Sequence, residues 1–127
     1  MGWTEAARTV GNILERDFTL TGDNGNIPGV YWSPAESNAN ALVLLGHGGT
    51  RHKKVDYIVG VAEQLAARGI ASCAIDGPGH GERSSGTDQS FEEQWETGGG
   101  TTGMLADWQR ALDFICLLYT SPSPRDA

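Results

Sequence analysis

The stretch Ala41-Leu-Val-Leu-Leu-Gly-His-Gly-Gly-Thr50 decides the fold. It begins with five apolar residues in succession, Ala41 to Leu45, and no polar alternation. A strand wet on one face would alternate, so this run predicts a parallel strand covered on both faces. The run stops at Gly46-His47-Gly48-Gly49, where three glycines permit backbone conformations closed to other residues. A turn of that kind leaves peptide N–H groups bare and able to point at an anion.

Working outward, Val55, Ile58, Val59, Ala62, Leu65 and Ala66 recur at the spacing of one helical face, and Gly69 follows as a C-terminal stop. Ile70-Ala-Ser-Cys-Ala-Ile75 is a second short apolar strand. Strand, helix and strand make a βαβ unit. Asp76-Gly-Pro-Gly-His-Gly81 then forms a sharp turn at the carboxyl end of the second strand. Ligands of open α/β sheets bind at that end, so both glycine turns are expected on one rim.

These paired turns resemble the α/β-hydrolase superfamily, nearest to its dienelactone-hydrolase-like and esterase or peptidase branch. The similarity covers Phe18 to Ile115, and the implied fold class is α/β: the N-terminal half of an α/β-hydrolase fold. Its parts would be an antiparallel hairpin, a βαβ unit and a further helix, with the sheet incomplete. In that family the His-Gly turn supplies a backbone N–H to the oxyanion hole. Carried over, the resemblance implies Gly49 as the donor, with Gly48 second. It implies no cofactor and no metal, and a small-molecule ester or amide as the substrate.

Composition narrows the alternatives. Nine basic against sixteen acidic residues give a formal charge of -7, which argues against a nucleic-acid footprint. Two cysteines, Cys73 and Cys116, make no disulfide framework, and Cys73 inside a strand is expected as a buried thiol. The N-terminus lacks a basic start followed by an apolar core, and no apolar run approaches spanning length. A cytoplasmic protein without a membrane partner is therefore expected. The oligomeric state is left open.

Met1 to Asn12 is expected as a short helix or a disordered start. Ile13–Thr21 and Ile27–Trp32, joined across Asp23-Asn-Gly25, predict an antiparallel hairpin at a sheet edge. Thr50-Arg-His-Lys-Lys54 is expected as a solvated cationic loop. Glu82 to Gly103 is polar and glycine-rich, and is expected as a loop or flap over the rim. Helical spacing returns with Met104, Leu105, Trp108, Leu112 and Ile115, with Thr101 or Thr102 as N-cap. The domain is accordingly placed at residues 1–115. Residues 116–127, with their Ser-Pro repeat, resemble the translated read-through of a sequencing adapter: a non-native or disordered tail.

Acyl transfer in this family needs a Ser on a G-x-S-x-G elbow, an acid and a His, in that chain order. No G-x-S-x-G occurs in the sequence. His47 and His80 are expected to brace their turns, and Asp76 to accept backbone N–H groups of Gly77-Pro78-Gly79. The spacing of His47, His52, His80 and Asp76 matches no standard zinc pattern. Gly77-x-Gly79-x-Gly81 departs from the dinucleotide fingerprint, because Pro78 interrupts it and no helix opens directly behind it. Two functional readings follow: a serine-hydrolase half that is inactive alone, or a small non-catalytic α/β binding or interaction module. An Ala41 strand left at an open edge would favour the first, since a self-contained module should protect its edges.

Overall fold

A computed structural model describes residues 2–3, 7–35, 38–49, 51–84 and 90–120. Its strands are β1 (Gly2–Trp3), β2 (Arg8–Val10), β3 (Ile13–Gly22), β4 (Gly25–Pro34), β5 (Ala41–Leu44) and β6 (Ile70–Ile75). They form one mixed sheet in the order β1-β3-β4-β6-β5, with β2 also paired to β3. The α-helices are α1 (Asp56–Ala67), α2 (Phe91–Thr97) and α3 (Gly100–Thr120), and Gly81–Arg83 form a single 3-10 turn.

The predicted hairpin is present but does not lie at the sheet edge, because β3 pairs outward with β1 and β2 and β4 pairs with β6. Gly22 pairs with Gly25 across the two-residue loop Asp23-Asn24, and Gly25 takes the left-handed φ of 110° that such a tight turn favours. The predicted βαβ unit is β5-α1-β6, with β5 and β6 parallel from Ala41↔Ile70 to Leu44↔Cys73. Gly69, at φ 79°, ends α1 by returning its N–H to the carbonyl of Ala66 at 3.0 Å.

Side-chain alternation sorts the sheet into two cores. Ala71, Cys73 and Ile75 of β6 join Phe18, Leu20, Ile27 and Tyr31 beneath Ala111 and Ile115 of α3. Ala74 joins Val30 and Trp32 against Val55, Ile58 and Ala62 on the other face. Each fully buried Ile, Val or Phe contributes about 1.5–3 kcal/mol of transfer free energy. Gly29 is needed in β4 because a Cβ there would run into the Phe18 ring.

Several expectations need correction. The opening residues form β1 and β2 where they are described, not a helix, and Trp3 packs against Phe18 and Phe114 at ring-centroid distances of 6.0 and 5.0 Å. Strand β5 is not covered on both faces: Ala41 is exposed and Leu44 is 39% exposed. It is the last strand in the order, so its outer side has no neighbour among the described residues. Within Glu82–Gly103, α2 forms behind Ser90, whose hydroxyl accepts the Glu93 N–H at 3.1 Å. Ser90-x-x-Glu93 has the capping-box spacing, a signal that the expectation of a loop passed over. Helix α3 starts at Gly100, earlier than the apolar spacing indicated, and Thr101 and Thr102 lie within it. Leu105 faces out at 66% exposure, and the buried face is Asp107, Ala111 and Ile115. The helix also runs past Ile115 to Thr120; residues 121–127 lie outside the described residues.

Candidate active site

Both glycine turns lie beyond the carboxyl ends of the parallel neighbours β5 and β6, and they touch. The Gly77 N–H donates to His47 Nε2 at 2.9 Å. With Nε2 accepting, the proton of the neutral ring belongs on Nδ1, which lies 2.9 Å from the Gly48 carbonyl. Burial holds the His47 pKa below the ordinary imidazole value, which favours that neutral form. His47 therefore braces both corners, as expected. The His80 ring stands 5.2 Å from His47, centroid to centroid, and its Nδ1 lies 2.9 Å from the Pro78 carbonyl.

The first corner differs from its expected construction. None of Gly46, Gly48 and Gly49 has positive φ, so the turn does not use left-handed backbone. Close packing accounts for only one of them: a Cβ at Gly48 would crowd the Tyr57 hydroxyl at 3.3 Å, whereas one at Gly46 or Gly49 would meet nothing within 4 Å. Of the two proposed oxyanion donors, Gly48 is engaged, since its N–H donates to Tyr57 Oη at 2.6 Å. The Gly49 N–H has no partner among the described residues.

The second corner is built on buried charge. Asp76 has no solvent exposure. Its Oδ1 accepts the Lys53 N–H at 2.9 Å, and its Oδ2 accepts Lys53 Nζ at 2.8 Å and the Glu82 N–H at 3.0 Å. It does accept backbone N–H groups, but from Lys53 and Glu82 instead of the Gly77-Pro78-Gly79 turn. Lys53, expected in a solvated loop, is buried at 6% exposure and also bonds Glu82. Burial alone would lower the Lys53 pKa, but the Asp76 and Glu82 carboxylates outweigh it and raise the value. Gly81, at φ 53°, leaves room for this cluster; any Cβ there would fall on the Asp76 carboxylate. Behind it, Arg83 pairs with Asp107 of α3 at 2.6 Å, with side-chain exposures of 7% and 2%.

Sequence reasoning missed the Lys53 and Arg83 pairings because their partners lie 23 and 24 residues away, beyond any local pattern. Helix α2 completes the rim. Position 77 lies between Trp95 and His47, and Gly79 and Gly98 pack against Gln94 and Pro78. A cleft of about 160 Å³ is lined by Asn24, Pro78, Gly79, Arg83, Gln94 and Thr97, among others. Among the described residues no group of three or more His, Cys, Asp or Glu side chains is placed to hold a metal, and no helix is long and apolar enough to cross a membrane.

No family model matches the chain, and no curated protein does. Solved structures do. The PEG-bound complex of a cold-adapted esterase from an Arctic intertidal metagenomic library superposes with a TM-score of 0.84 at 52% identity, over 98% of this chain and 53% of that one. The chain carries the N-terminal half of an α/β-hydrolase fold. A native structure of a cold-adapted esterase from an Arctic intertidal metagenomic library matches this chain at 44% identity and TM-score 0.74, covering 98% of it and 50% of that chain. Acetyl xylan esterase from Paenibacillus sp. R4, at 20% identity and TM-score 0.61, covers 90% of this chain and 39% of its own, and supports the α/β-hydrolase fold alone. The chain thus spans about half the length of the esterases it resembles at 44–52% identity.

Proposed function

We propose that this chain is the oxyanion-side half of a serine hydrolase that cleaves ester, lactone or small amide bonds by acyl transfer. The observation that carries the reading is the contact of the two corners through Gly77 N–H and His47, with the Gly49 amide beside it unpartnered among the described residues. The esterases similar to this chain support ester bonds as the substrate class. In this reading Gly49 holds the negative charge that develops on the substrate carbonyl, a donor whose loss typically slows such enzymes by about 100- to 1,000-fold. Gly48 serves the same corner indirectly, fixed by Tyr57. The nucleophilic Ser, its His and the acid come from sequence beyond this chain, so the 127 residues alone are inactive. The hydrolase portion is residues 1–115, and 116–127 are a foreign tail, a reading that rests on their Ser-Pro repeat.

The lack of a neighbour on the outer side of β5 among the described residues favours this over a self-contained binding module. Two experiments test it. A fluorophosphonate should leave the 127-residue chain unlabelled; stoichiometric, specific labelling would contradict the proposal. Source DNA read past the Ile115 codon should continue in frame to a G-x-S-x-G about 20 residues on. A genuine stop there would return the module reading.

A further inference from the structure

The two corners are tied at two depths. At the surface the tie is His47 to Gly77, a single hydrogen bond. Below it is Asp76, whose carboxylate binds the Lys53 N–H, the Lys53 ammonium and the Glu82 N–H. Between Leu45 and Val55, Lys53 is the one buried residue among those described. That segment carries the Gly49 amide and has no apolar anchor of its own.

We propose that the Lys53–Asp76 pair is the positioning device of the oxyanion corner, fixing where Gly49 stands relative to the Asp76–Gly81 turn. This deepens the hydrolase reading and rests on it. Neither side chain is exposed enough to touch a substrate, so both act through the backbone they hold. A buried ion pair is usually no more stabilising than a well-packed apolar pair of the same volume. What it adds over an apolar plug is direction, since three hydrogen bonds of set length leave the loop little freedom to slide. Catalytic donors must be held to within about 0.5 Å, a tolerance an apolar contact does not enforce.

Amide-exchange NMR on the full 127-residue chain tests this. Lowering the pH protonates His47, whose charged and titratable neighbours are His80, Asp76 and His52, and removes the acceptor of Gly77. The Lys53 and Glu82 amides are expected to remain protected after Gly77 has lost protection. Loss of all three together would overturn the proposal, because His47 would then be holding the corners. Lys53→Met should raise Gly77 exchange by about tenfold or more, as local opening becomes easier. Lys53→Arg, which keeps the charge and the donors, should restore most of the protection. A folded Lys53→Met chain with unchanged Gly77 exchange would also overturn it. If Lys53→Met does not fold, the pH series on the unsubstituted chain decides alone. None of these readouts involves catalysis, so their failure is distinguishable from failure of the hydrolase reading, which labelling and the DNA sequence test.

Discussion

Ile75 and Asp76 are adjacent in the chain and both have zero exposure, yet they belong to regions built on different physics. Ile75 is the last residue of β6, packed with Phe18, Ile27 and Ile115 in a core held by non-directional burial. Asp76 opens a rim held by charge: Lys53 below the first corner, paired with both Asp76 and Glu82 of the second, and Arg83 with Asp107 behind. The body needs volume filled and tolerates chemical change. The rim needs specific partners, and a missing one leaves a charge stranded.

The sharpest way to break this contrast is to truncate both neighbours. Asp76→Ala should cost about 3–5 kcal/mol in urea unfolding, since the Lys53 ammonium loses its buried partner. Adding Lys53→Met to it should cost nothing further or restore stability; a second, additive loss would show that the rim is not held by paired charge. Ile75→Ala should cost about 2–5 kcal/mol through its cavity. It should add to Lys53→Met only to the extent that the two regions are independent. Ser90→Ala should cost about 1 kcal/mol, read as fraying of α2, because its hydroxyl caps that helix.

The smallest effect is on pH. The His47 pKa is lowered in the fold, so its contribution is fully present above the unfolded value near 6.5. It is lost as pH falls from there through the folded value, because the unfolded ring binds the proton first. His47→Gln should flatten that part of the stability profile. The body, by contrast, should not titrate there. Cys73, whose thiol burial pushes up to about 12, should resist alkylation until the chain unfolds.

The same division governs how much was legible in the sequence. The apolar runs at Ala41–Leu45 and Ile70–Ile75, the latter broken only by Ser72, the Asp23-Asn24-Gly25 turn and the spacing of Val55 to Ala66 are local patterns, and each became a strand, turn or helix where it was predicted, though the Ala41 strand is not covered on both faces. The glycine turns marked the rim because glycines at strand ends are local too. What escaped were pairings across the chain. Lys53 looked like one cation in an exposed run until Asp76 was placed beneath it. Strands β1 and β2, of two and three residues, are too short for alternation to show and depend on β3 for their existence. Helix α2 was readable from Ser90 and Glu93, but the polar composition around it masked the signal.

Position 81 has a practical consequence for anyone diversifying this loop. The Asp76 carboxylate occupies the place where a side chain at 81 would begin, and the backbone there is already left-handed. Randomising residues 77 to 82 therefore wastes every clone that changes the sixth member of Asp76-Gly-Pro-Gly-His-Gly81, whereas position 77, flanked by two rings at ordinary contact distance, can accept a methyl.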